Sequence, residues 1–195
     1  ACRDKGLNPQ SVLATLAQPP RTEPTADTTD MGLTELADHI EQTHHAYLRS
    51  EFSRLNDLTS KVASVHGDQN PRLHQVSETC RALIAELSDH MMKEEQILFP
   101  LVRQLDASDT APKFHCGSLA NPIDQMESEH SQAGAALERL RELTDGFTPP
   151  DGACNTYHAM LDALAQLERD LHLHIHKENN VLFPRALKME QNKRA

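Results

Sequence analysis

The chain has 195 residues, with 19 Lys+Arg against 29 Asp+Glu and a formal net charge of −10. That length gives one domain plus a short appendage, and the acidic balance argues against the phosphate neutralisation that nucleic-acid binding requires. No run approaches the roughly 18 apolar residues of a membrane span, and no basic-then-apolar leader opens the chain. It begins Ala1-Cys2 without an initiator Met, as a fragment or processed form does, which leaves open an export signal upstream. Cys2, Cys80, Cys116 and Cys154 are far apart and form no CxxC, so zinc ribbons and thioredoxin motifs are out. They read as reduced thiols of a cytosolic protein. The unusual number is 12 histidines, against 2 Tyr, 5 Phe and no Trp, and the candidate chemistry rests on them.

Residues 1–18 carry a weak helical pattern in Val12, Leu13 and Leu16. Residues 19–32 (PPRTEPTADTTDMG) hold almost nothing apolar and read as a linker. Helical periodicity then takes over and predicts four long helices at about 33–66, 71–105, 122–145 and 155–189. Gly67 followed by Pro71 marks a helix stop and the next start; Asn121-Pro122 and Asn155-Thr156 are starts, and Gly146 is a stop. Residues 106–121 form the long connection. No strand survives this reading, so the fold class is all-α, an antiparallel four-helix bundle over 33–190. Pro100 and Pro184 each end a Leu-Phe-Pro and are expected to kink or terminate their helices.

HMMKEEQILFP (90–100) and HIHKENNVLFP (174–184) both fit H-x-x-K-E-x-x-x-L-F-P. His45 stands 45 residues before His90, and His130 stands 44 before His174, so the bundle reads as two hairpins of similar plan. The second helix has an apolar stripe of Leu73, Val76, Cys80, Leu83, Leu87, Leu98, Leu101 and Leu105, whose gap is filled by His90 and Glu94. His174 and Glu178 fill the matching gap among Leu164, Leu167, Leu171 and Val181 of the fourth helix. His130 lies among Ile123, Met126, Ala133, Leu137 and Leu140, and His45 heads Leu48, Phe52, Leu55 and Val62. Counted from the turns, four imidazoles and two carboxylates reach one level of the interior.

Two buried carboxylates cost several kcal/mol each unless compensated. A pair of divalent or trivalent cations resolves this, with glutamates bridging and imidazoles capping. H-x-x-x-E places both ligands one helical turn apart. A donor set of nitrogen and oxygen without thiolate favours iron or manganese. The other histidines read as peripheral. His39 and His44 lie beside the stripe, and His66 is about 31 Å from His45 along a continuous helix. His172 and His176 face away from His174, while His74, His115 and His158 are solvated. Glu95 is expected outside the bundle, as are Lys93 and Lys177. Met91 and Met92 are read as filler.

The set His45, His90-x-x-x-Glu94, His130, His174-x-x-x-Glu178 resembles the hemerythrin-like bundle. HMMKEEQILFP, GACNTY (152–157) and HIHKENNVLFPRA are similar, more closely, to the di-iron iron–sulfur cluster repair proteins of RIC or ScdA type. The resemblance covers the whole bundle. It implies that residues 1–18 are the remnant of the family's small N-terminal module, starting just after that module's adjacent cysteines. It further implies a cytoplasmic protein that restores iron–sulfur clusters damaged by nitric oxide or oxidative stress, with damaged or apo iron–sulfur proteins as partners. The cofactor would be two iron ions with an oxo or hydroxo bridge, capped by the four histidines and bridged by Glu94 and Glu178. The fifth histidine of ordinary hemerythrins is not found on these seams, which leaves positions for nitric oxide or oxygen species, or for giving up iron. A hemerythrin-like oxygen or nitric oxide sensing module is the alternative. No catalytic group beyond the metal site, no nucleic acid and no membrane enter this reading; iron donation need not make the chain a conventional enzyme, and homodimer formation is left open.

Overall fold

The structure is a computed structural model that describes residues 30–194. The expected remnant at 1–18 and nearly all of the linker at 19–32 lie outside the described residues. The first rod consists of α1 (Leu33–Ile40), a π-helical turn (Glu41–His45) and α2 (Ala46–His66). The second consists of α3 (Arg72–Lys93), a π turn (Glu94–Leu98) and α4 (Phe99–Ala107). The third is an uninterrupted helix, α5 (Ala120–Leu143). The fourth consists of α6 (Asn155–Lys177), a π turn (Glu178–Leu182) and α7 (Phe183–Arg194). No strand occurs among the described residues. Rod 1 packs on rods 2 and 4, and rod 2 on rod 3, with short turns reversing the chain after α2 and α5. This is the antiparallel four-helix bundle expected from the periodicity.

The turns show why particular residues stand there. Gly67 has an ordinary helical φ of −63° rather than the left-handed conformation of a cap glycine. Its reason is close approach, since a Cβ would collide with the Ala63 carbonyl oxygen and the His74 imidazole. Gly146 is left-handed at φ 71°, and its N–H donates to the Arg141 carbonyl at 2.8 Å, closing α5.

Pro100 and Pro184 neither stop nor sharply break their rods. Each sits at the second residue of the helix that follows a π turn. The widened turn is closed by Phe99 N–H to the Glu94 carbonyl and by Phe183 N–H to the Glu178 carbonyl. A proline one residue further on has no N–H to contribute, and a regular turn would press its ring on the carbonyl four residues back. Opening by one residue relieves both demands.

The interior is two apolar clusters. One contains Leu55, Leu83, Leu137 and Leu164, running from Leu48, Met91, Ala133 and Leu171 toward the α2–α3 turn. The other contains Leu36, Phe99, Ile123 and Phe183, in the opposite half of the bundle. Each fully buried leucine or phenylalanine stabilises by about 1.5–3 kcal/mol. Along rods 1, 3 and 4 the candidate ligands fall between the residues of one cluster and those of the other, and on rod 2 His90 and Glu94 flank Met91, that rod's last residue of the first cluster.

Candidate metal centre

His45 is the last residue of the first π turn, Glu94 the first of the second and Glu178 the first of the third. His90 and His174 lie one turn before the two glutamates, and His130 is midway along α5. All six are buried, both glutamates completely. The structure brings them together as two groups of four. In one group His45, His174, Glu94 and Glu178 each offer a ligand-type atom, and these lie within 4.8 Å of one another. In the other His90 and His130 meet the same two glutamates within the same limit.

Glu94 Oε2 is 3.3 Å from His45 Nε2 and 3.4 Å from His90 Nε2. Glu178 Oε2 is 3.1 Å from His130 Nε2, and its Oε1 is 3.1 Å from His174 Nε2. His45 Nε2 faces His174 Nε2 at 3.2 Å, and His90 Nε2 faces His130 Nε2 at 3.0 Å. Two facing ring nitrogens share one proton at most, so each pair directs a lone pair inward. Neither oxygen of Glu94 is hydrogen-bonded, nor is Glu178 Oε2. Buried carboxylate oxygens left this way are costly without a cation. The chemistry of the donors, nitrogen and carboxylate oxygen without thiolate, fits a metal cation.

Without metal, protons are held instead. Burial opposes the charge on His90, but Glu94, Glu178 and Glu129 outweigh it and raise its pKa to about 9. His45 is raised by the same contest, with Glu94 foremost among the carboxylates. Burial pushes Glu178 up, yet the His174 and His130 imidazoles bring it well below the usual carboxylate range.

Three of the four rings are anchored at Nδ1. His45 is 2.7 Å from Glu95 Oε1, His90 is 3.0 Å from Glu129 Oε2, and His130 is 2.8 Å from Asn179 Oδ1. An Nδ1–H donated there leaves Nε2 free for a cation. Glu95 is therefore not an exterior charge. The π turn rotates it inward far enough to hold His45, while Arg49 holds its carboxylate from the solvent side at 2.6 Å. Glu95 and Asn179 occupy the same place in the repeat, directly after each glutamate, which is the signal that singles them out. Glu129 directly precedes His130 and is bound by Lys93 at 2.6 Å. Burial raises Glu129, but Lys93, Gln125 and His90 more than offset this and lower its pKa to about 2.

The phenylalanines of the repeat cover the imidazoles of the other rods. Phe99 lies nearly parallel to His45 with centroids 5.8 Å apart, and Phe183 lies parallel to His130 at 6.1 Å. His44 is buried, and Lys177 Nζ is 2.8 Å from both His39 Nε2 and His44 Nε2. His66 stands near Cys154, 3.4 Å from its Sγ, well apart from the six. His74, His115, His158, His172 and His176 are exposed. Met91 fills the core as expected, whereas Met92 is exposed. A cavity of about 200 Å³ between α3 and α5 reaches His90 and His130, lined by Glu86, Asp89 and Glu129 against Lys93.

The sequence profile of the hemerythrin HHE cation binding domain matches residues 36–186. The iron–sulfur cluster repair protein YtfE of Pectobacterium atrosepticum is 40% identical over 158 residues, which cover 81% of this chain and 67% of that one. The chain belongs to the hemerythrin-domain family of iron–sulfur cluster repair proteins. YtfE of Escherichia coli O157:H7 is 40% identical over 178 residues, 91% of this chain and 76% of that one. YtfE of Citrobacter koseri is 38% identical over 187 residues, 96% of this chain and 81% of that one. Membership in this family and the His/Glu donor set together support iron binding. No helix among the described residues is long and apolar enough to cross a membrane.

Proposed function

We propose that the bundle holds two iron ions with an oxo or hydroxo bridge between them and serves in the repair of iron–sulfur clusters damaged by nitric oxide or oxidative stress. His45 and His174 hold one ion, His90 and His130 the other, and Glu94 and Glu178 are shared. The observation that carries this reading is that both four-residue groups use the same two glutamates, each with ring nitrogens facing across it. Iron supplies a ferrous–ferric change and positions open to nitric oxide or oxygen species. The chain orients the imidazoles from Nδ1, excludes water with Phe99 and Phe183, and opens toward solvent through an acidic cavity suited to a cation. The names of the relatives favour repair over sensing, and damaged or apo iron–sulfur proteins are then the acceptors. The bundle at 33–190 is the iron-binding domain, preceded by the segments at 1–18 and 19–32, in a cytoplasmic protein.

Transfer of iron tests the function. Ferrous-loaded protein mixed with an apo iron–sulfur acceptor should lose iron as the acceptor gains its cluster absorbance. A chain that stays fully loaded beside such an acceptor would sink iron donation.

A further inference from the structure

The two halves of the centre follow a similar plan, and one of the places where they differ lies beside His174. Glu129 precedes His130, contacts Lys93 of the first repeat and accepts from His90 Nδ1. The residue matching Glu129 is His44, which precedes His45 and contacts Lys177 of the second repeat at 2.8 Å. His44 makes no hydrogen bond to His174, whose Nδ1 is buried without a partner. Instead the two rings lie face to face, 5.3 Å between centroids and 2° from parallel. His44 is fixed at both nitrogens. Its Nδ1 is 3.0 Å from Asp170 Oδ1 and its Nε2 faces Lys177 Nζ, so Nδ1–H donates and Nε2 accepts.

We propose that His44 is a positioning residue that sets the plane of His174 by ring packing, where Glu129 sets the plane of His90 by a hydrogen bond. The inference rests on the reading that His174 holds iron. A flat ring packed in this buried place presents a face to His174, and rotation of His174 out of its plane would drive it into that face. Stacking at this separation orients a ring but does not strengthen it as a donor, as a carboxylate at Nδ1 does. The two iron positions are therefore unequal: the one between His90 and His130 has a carboxylate-backed and an amide-backed ring, and the one between His45 and His174 has a carboxylate-backed and a merely stacked ring.

The test is equilibrium competition of the ferrous-loaded chain against a colorimetric ferrous chelator, with mixed-valence EPR of the same samples. His44→Ala should weaken one ion about ten- to a hundredfold and leave the other within about threefold. His44→Phe, which keeps a flat ring and loses both polar contacts, should hold both ions within about threefold of the parent and preserve the EPR signal. His44→Gln, of similar bulk without a ring, should behave as His44→Ala and carries the comparison if the alanine variant does not fold. Glu129→Gln should weaken the other ion, so that combining it with His44→Gln weakens both. Unchanged affinities in His44→Ala and His44→Gln, or a His44→Phe as weak as either, would overturn the role of the stacked ring. A parent chain that takes up no iron would instead overturn the proposed function, and this inference with it.

Discussion

At the residue scale the centre is a problem of charge. Glu94 and Glu178 are fully buried, and three of their four oxygens lack any hydrogen bond. In the metal-free chain burial opposes the charge on His90, but Glu94, Glu178 and Glu129 raise its pKa to about 9. Iron must displace the His90 proton, so apparent iron affinity should climb with pH through the neutral range and level off near 9, measured by competition with a chelator. Glu129 gives the opposite kind of dependence. Its pKa is depressed to about 2 from 4.5, so its contribution to stability is complete above 4.5 and is lost as pH falls toward 2. Acid titration of the metal-free chain, followed by circular dichroism, should show a shallower loss of stability over that window in Glu129→Gln than in the parent. That these six side chains meet at one level of the interior was legible from the repeat and from gaps in the apolar stripes. Glu95 was not, because its facing depends on a wide turn that a regular helical period does not anticipate.

The rods are adapted to the centre by their π turns. Residues 174, 178, 182, 186 and 190 are all buried, yet steps of four overshoot a regular turn by about 40° each. The π turn at Glu178–Leu182 absorbs part of that drift. Val181, expected on the stripe, is consequently only half-buried, and Leu182 takes its place. Periodicity located the helices and most of their buried faces, and it placed both prolines, but a hydrophobic pattern does not distinguish a widened turn from a kink. Replacing Pro184 by alanine restores a backbone donor and permits a regular turn. Pro184→Ala should keep or raise the melting temperature of the metal-free chain and weaken iron about tenfold by moving Glu178. A thermal melt and a chelator competition on the same sample would check both halves.

Across the whole molecule, two apolar clusters carry the packing and a polar level divides them. A cation at that level would engage the buried carboxylate oxygens that lack hydrogen bonds, so iron binding and folding are expected to be linked. Thermal melts should rise on iron loading of the parent. In Glu94→Gln combined with Glu178→Gln iron should produce no such rise. The bundle, its antiparallel order and its connection were readable from start and stop signals along the chain. The direct contact of Phe99 with His45 and of Phe183 with His130 was not, because it joins residues far apart in sequence.

The most direct test of a shared-glutamate iron pair is metal analysis of the loaded chain combined with EPR at half reduction. Two irons per chain and a mixed-valence signal, lost in the Glu94→Gln, Glu178→Gln variant, are the predicted result. A fully loaded chain carrying a single iron, or two irons that give no coupled signal, would contradict it.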